Sequence, residues 1–177
     1  MKTERVWKMY WSATGTTKIV VSAIADRLAA ELGLAVETYD FTLPAARRTA
    51  PEFAAGDVVV FGTPTYAGRV PNVLLKYLET VKGGGAAAIP VVTFGNRAFD
   101  DALIELRDIL TDNGFRPFAG AAFVGEHSFS KTLAAGRPDV DDLLLAAQFA
   151  GQAAARLAGV DGQTPPVEVP GRAREAR

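Results

Sequence analysis

The chain has 177 residues and a 49% apolar fraction, enough for one globular domain with a full core. It holds no cysteine and one histidine, His127. Disulfides, thiolate nucleophiles, iron–sulfur clusters and Cys-based or multi-histidine metal sites are thereby excluded. A formal net charge of −1 with no long basic run argues against nucleic acid. No run of about 20 apolar residues argues for a membrane span. The first residues lack the apolar stretch of a signal peptide, so a cytoplasmic protein is expected.

In chain order, residues 6–11 are apolar and aromatic and predict a strand. Trp7 and Trp11 share one face of it with Met9 between them, and Trp11 is placed to back the following loop. From Thr17 the period changes: Val20, Ile24, Leu28 and Leu32 recur at helical spacing until Gly33. Residues 35–41 predict a second strand, and 42–56 a loop with a short helix. Residues 57–62 form a continuous β-branched run, the pattern of a strand buried on both faces. A loop over 63–71 leads to a helix over 70–81, broken by three glycines. A strand over 86–94, a loop over 95–100 and a helix over 101–113 follow, with Asp100 and Asp101 as caps. Residues 116–124 predict a fifth strand. Residues 140–157 predict a long Ala/Leu helix capped by Asp139 or Asp141. Residues 1–158 thus form one domain. Residues 159–177, with Pro165, Pro166, Pro170 and the basic end from Gly171, read as an extended or disordered tail.

Strands alternating with helices predict parallel βαβ units with right-handed crossovers. The expected fold is a three-layer αβα, doubly wound α/β domain. Its five-stranded parallel sheet has the order 2-1-3-4-5. The first turn lacks Gly-x-Gly-x-x-Gly, which disfavours the other common order. Ligands of such sheets bind at the carboxyl ends of the strands. The loops after strands one, three, four and five should converge there.

Loop one contains Ser12, Ala13, Thr14, Gly15, Thr16 and Thr17. Free N–H groups and the positive end of a helix make an anion site, and hydroxyls add donors without charge. A terminal phosphate suits it. The same residues also suit a plain helix cap and turn. Loop two contains Thr63, Pro64, Thr65, Tyr66, Ala67, Gly68 and Arg69; loop three contains Phe94, Gly95, Asn96, Arg97, Phe99 and Asp100. Loop four spans 125–130, with His127 and Phe129. Tyr66 and Phe99 lack core spacing and predict a clamp for a flat ring. A phosphate loop plus a ring clamp describes a site for flavin mononucleotide (FMN). His127 reads either as a loop histidine bonded to backbone or as a rim residue aiding proton transfer. Arg69 and Arg97 read as solvated charges or as ligands of an anion.

Ser12-Ala-Thr-Gly-Thr-Thr17, Thr63-Pro-Thr-Tyr-Ala-Gly68 and Phe94-Gly-Asn-Arg-Ala-Phe99 resemble the three flavin loops of flavodoxins and flavodoxin-like FMN proteins. The resemblance covers roughly residues 6–157. It is especially close to the flavodoxin half of ferredoxin–flavodoxin fusions; without cysteine, the chain holds at most that half. The resemblance implies an FMN-binding electron-transfer protein whose Tyr66 and Phe99 flank the ring. The partner would be a redox protein or a small electron acceptor. An FMN-dependent NAD(P)H or quinone oxidoreductase is the alternative. Familiar flavodoxins are strongly acidic, whereas Arg69, Asn96 and Arg97 stand here. Less negative charge beside the ring predicts a less negative potential for forming the reduced, anionic flavin.

Other phosphate-loop classes fit less well. Gly15-Thr-Thr-Lys18 lacks the Walker spacing. A tyrosine phosphatase needs a cysteine, and a receiver domain needs acids where Trp11-Ser12 and Gly62-Thr63 stand.

Overall fold

In the computed structural model, which describes residues 2–173, the β-branched run beginning at Asp57 lies in the interior of a parallel sheet. The elements are β1 (Arg5–Tyr10), α1 (Thr16–Leu32), β2 (Val36–Asp40), a 3-10 turn (Pro44–Arg48), β3 (Asp57–Pro64), α2 (Asn72–Leu78), β4 (Ala87–Phe94), α3 (Ala102–Asp112), β5 (Arg116–Pro117), β6 (Ala121–Val124) and α4 (Val140–Leu157). The strand order is β2-β1-β3-β4-β5, with β6 also paired to β4. All pairings are parallel. This is the expected 2-1-3-4-5 order.

The two faces of the sheet bury separate cores. Val6, Val58, Val60, Ile89 and Val91 face α1 and α4, meeting Val21, Ile24, Leu28 and Ala146. Met9, Val59, Phe61 and Val92 face α2 and α3, meeting Leu74, Leu78, Leu103 and Leu106. Alternation along β3 sends successive valines to opposite layers. Trp7 and Trp11 pack on the second layer beside Met9.

Three boundaries differ from expectation. β3 runs two residues beyond 62, because its ladder with β4 continues through Thr63↔Val92 and Pro64↔Thr93. α2 is shorter than 70–81; Pro71 is its N-cap, and the chain leaves through turns from Thr80 N–H to Tyr77 O and Val81 N–H to Leu78 O. The fifth strand is split into β5 and β6, with one residue more than β4 between the pairs Ala88↔Pro117 and Val91↔Ala121. Ala86 and Ala88 turn their carbonyls toward the fifth strand. Pro90 shares that parity and has no N–H to give, so the ladder breaks there.

Residues beyond α4 follow the sheet edge. Val167 N–H donates to Pro117 O, Arg107 Nη1 donates to Val167 O, and Arg172 N–H donates to Asp101 Oδ1. Val169 packs against the second core. Residues 174–177 of the expected tail lie outside the described residues.

Candidate functional site

The carboxyl ends of β1, β3, β4 and β6 bring four loops together around two connected spaces. The smaller, about 60 Å³, is bounded by Ser12, Ala13, Thr14, Thr16 and Thr17 of loop one. Gly15 is the N-cap of α1 at φ 90°, a left-handed conformation that glycine adopts without strain. Ser12 Oγ accepts from Lys18 N–H at 3.0 Å, so this hydroxyl caps the helix. The preceding N–H groups of the first turn have no intrahelical acceptor and face the recess end of the helix. Thr17 Oγ1 meets Thr93 Oγ1 at 2.7 Å in a buried contact. It ties α1 to β4, a different use from the free donor expected of it.

Two polar atoms at this recess are buried without a partner: Trp11 Nε1 and Thr65 Oγ1. Leaving such groups unpaired costs about 1–3 kcal/mol each. An anion accepting from both would remove that cost. The donor set is neutral, apart from Glu126 at the margin.

The larger space, about 940 Å³, lies between the tip of loop two and loops three and four. Tyr66, Ala67, Gly68 and Arg69 form a tight hairpin: Tyr66 N–H donates to Arg69 O at 2.9 Å, and Arg69 N–H to Tyr66 O at 3.1 Å. Ala67 (φ 50°) and Gly68 (φ 73°) both have positive φ, as a type I′ turn requires. The Tyr66 ring is 45% exposed and meets Trp11 edge-on, with centroids 5.8 Å apart. Partial burial pushes its phenol pKa up.

Arg69 turns away from the cleft. Its Nε and Nη2 donate to Glu105 of α3 at 3.1 and 3.2 Å, and its Nη1 to Asp101 at 3.5 Å. It is a tie between loop two and α3, and the anion-ligand reading of Arg69 is set aside. Asp101 sits at the N-cap position but makes no side-chain cap; its carboxylate is taken by Arg69 and by Arg172 N–H. Asp100 (φ 42°) does not cap either and packs against Gly68.

The other expected residues divide. Pro64 borders the recess; Phe94 and Gly95 floor both spaces; Arg97 and Asp100 line the cleft. Thr63 is fully buried behind them, and Asn96 (φ 58°) shapes the loop without lining it. Phe99 does not stand in the cleft: its ring lies edge-on to Phe94 at 5.3 Å and against the second core. His127 and Phe129 do line it. Ser128, within the expected loop four, borders both spaces, and Thr93, which was not anticipated, borders the recess. Thr93, one residue before a loop at a strand's carboxyl end, was findable by topology.

Residues 9–94 match the family model described as a flavodoxin domain. Over that stretch, just under half of its length, the chain is similar to a flavodoxin domain. That match spans β1 to β4, including the first two loops and the start of the third. The structure resembles a flavodoxin of Streptococcus pneumonia TIGR4, with TM-score 0.58 and 18% identity over 85% of this chain and 98% of that one. It also resembles a flavodoxin from the domain Archaea, with TM-score 0.60 and 12% identity over 87% and 99%. Rubredoxin oxygen:oxidoreductase from Desulfovibrio gigas shares the fold over 37% of its length and 89% of this chain, with TM-score 0.59 and 16% identity. No curated protein matches the chain in sequence. Among the described residues, no helix is long and apolar enough to cross a membrane.

Proposed function

We propose that this protein is a cytoplasmic FMN-binding electron carrier of flavodoxin type, passing electrons to a redox protein or a small acceptor. The observation that carries this reading is the pair of orphaned polar atoms, Trp11 Nε1 and Thr65 Oγ1, in two residues that line a recess beside the start of α1, where Glu126 is the one charged residue of the lining. Such a recess suits a phosphate. The aromatic-edged cleft that opens from it suits a flat ring. The flavodoxin-domain match and the fold point the same way.

FMN, when bound, supplies reversible one- and two-electron chemistry. The chain's own residues do the rest. Thr14, Thr16 and the first-turn N–H groups hold the phosphate, and Ser12 keeps that turn in place. Tyr66, half-exposed on its hairpin, would cover one face of the ring and keep water from it. Thr65, Ala67, Gly68, Gly95 and Asp100 shape the ring's edge. Arg97 sets the local charge.

The test is an absorption spectrum and fluorescence titration of the purified chain with FMN. Flavin bands with quenched emission are expected, and a colourless, unquenched protein at saturating FMN would end this reading. A second reading, an FMN-dependent oxidoreductase, draws on the size of the cleft, near the upper end for small-molecule sites. Rapid NAD(P)H oxidation by the loaded protein would select it.

A further inference from the structure

Loop three supplies the large cleft with Phe94 at its floor and with Gly95, Arg97, Ala98 and Asp100 at its side, but with no aromatic wall. Phe99, the one aromatic in the loop beyond the strand, is folded under against Phe94. The wall facing Tyr66 is therefore open on loop three. His127, Ser128 and Phe129 of loop four line the same cleft.

His127 lies directly over Gly95. A Cβ built on Gly95 would stand 2.7 Å from His127 Cδ2 and 2.9 Å from its Cα, so only glycine leaves room for this crossing. His127 Nδ1 accepts from Phe129 N–H at 3.1 Å, which makes Nδ1 an acceptor and leaves Nε2 to carry the proton. That same bond fixes Phe129 to His127, with ring centroids 6.1 Å apart in an edge contact. The base of the loop is pinned: Glu126 N–H donates to Arg137 O at 3.0 Å, and Gly136 N–H to Glu126 Oε1 at 2.8 Å. Leu133 N–H donates to Ser130 Oγ at 3.0 Å. Phe129 is held at the end of this loop with 96% of its surface exposed, while lining the cleft. A benzyl group left in water on a braced loop, at the mouth of a cleft, is apolar surface awaiting a flat partner.

We propose that Phe129, carried by His127 across Gly95, covers the second face of the bound isoalloxazine ring in place of Phe99. This rests on the FMN reading above. Phe129 and His127 contact the ring and act in binding; no bond is made or broken by them. The site then draws its two ring walls from loops two and four and its phosphate cradle from loop one.

The experiment compares the full chain with F129A, F99L and Y66A, titrated with FMN and with riboflavin and read by flavin fluorescence. Phe129 is exposed, so F129A folds as the parent does, and F99L keeps the partly buried position apolar. Expected are a two- to tenfold rise in the dissociation constant for F129A and a partial return of fluorescence, the same for both ligands because both carry the ring. F99L is expected to bind and quench like the parent. F129A binding and quenching like the parent, or F99L losing quenching, would overturn the assignment while the FMN reading stands, with Y66A as the positive control. A parent chain that binds neither ligand would overturn both.

Discussion

Glu105 is buried in α3 and accepts three hydrogen bonds from loop two: from Arg69 Nε at 3.1 Å, Arg69 Nη2 at 3.2 Å and Val70 N–H at 2.9 Å. The hairpin that carries Tyr66 is thus anchored at its second strand to the helix of the following βα unit. Removing the carboxylate strands the Val70 N–H and a half-exposed guanidinium. E105A should cost about 1.5 kcal/mol, from hydrogen bonds to a charged group discounted for the exposure of Arg69. In a chain of this size that is a fall of about 3–6 °C in Tm. Thermal unfolding checks it, and FMN quenching should weaken in parallel because Tyr66 loses its support. An unchanged Tm would show that loop two holds itself.

Arg69 also shows what could be read in advance and what could not. Periodicity found every helix, and the apolar runs found the sheet, because those signals are local. Pairing Arg69 with Glu105 needs two segments 36 residues apart to be docked first. The same holds for Phe99, whose setting in a glycine-rich loop suggested a ring clamp, whereas the fold gave it Phe94 to pack on. Pro90 was plain in the sequence. Which neighbour its missing N–H would face depends on strand parity in the assembled sheet. The tail's proline content suggested an extended or disordered run; that Val169 and Arg172 meet the second core and Asp101 depends on the assembled fold.

The phosphate loop separates binding of FMN from binding of riboflavin. S12A removes the acceptor for Lys18 N–H and should lower stability by about 1 kcal/mol. T14A removes an exposed hydroxyl and should leave stability unchanged. Both should weaken FMN by about three- to tenfold, T14A through one lost hydrogen bond and S12A through the loosened turn. Neither should weaken riboflavin, which lacks the phosphate. Parallel fluorescence titrations decide this; equal losses for the two ligands would place the phosphate elsewhere.

Charge at the cleft sets a redox prediction. Arg69 is neutralised by Glu105 and Asp101, so Arg97 is the cation left lining the cleft, with Asp100 opposing it. A unit charge acting over a separation of about 10 Å, in surroundings of effective dielectric 40–80, is worth roughly 0.4–0.8 kcal/mol. For a one-electron step that is roughly 20–35 mV. R97A should therefore move the potential for forming the anionic reduced flavin to more negative values by that amount, and D100N should move it the other way. A spectroelectrochemical titration in which R97A leaves the potential in place would remove Arg97 from the ring's field.

Acid stability should depend on Asp142. It is buried at the start of α4, takes both Nε and Nη2 of Arg137, and shares a reciprocal capping box with Asp139. The Arg137 contact holds its carboxyl below the usual range. A carboxyl whose folded pKa is depressed stabilises the fold above its unfolded pKa of about 3.9, and that contribution fades as pH falls through the folded value. D142N should unfold at lower urea than the parent at pH 7, and the gap should narrow at pH 3. A gap of constant size across that range would mean the charge contributes nothing.

Gly62 ties fold to site most directly. It is the sixth of the eight residues of β3 and lies under α1, where a Cβ built on it would lie 2.2 Å from Val21 Cγ2 and 2.9 Å from Thr17 Cγ2. Gly125 stands in the same relation to Thr16, with 2.2 Å to its Cγ2. The two glycines let the N-terminal turn of α1 settle on the sheet, which is what places its N–H groups at the recess. G62A should overpack this contact at about 1–3 kcal/mol. It should also weaken FMN more than riboflavin, since α1 must lift. V21A alone leaves a small void, whereas V21A with G62A gives back the space the new methyl needs. The double variant should recover much of the lost stability, giving a coupling energy of about 1 kcal/mol or more in a double-mutant cycle. Additive losses from denaturant unfolding would mean that α1 does not bear on Gly62.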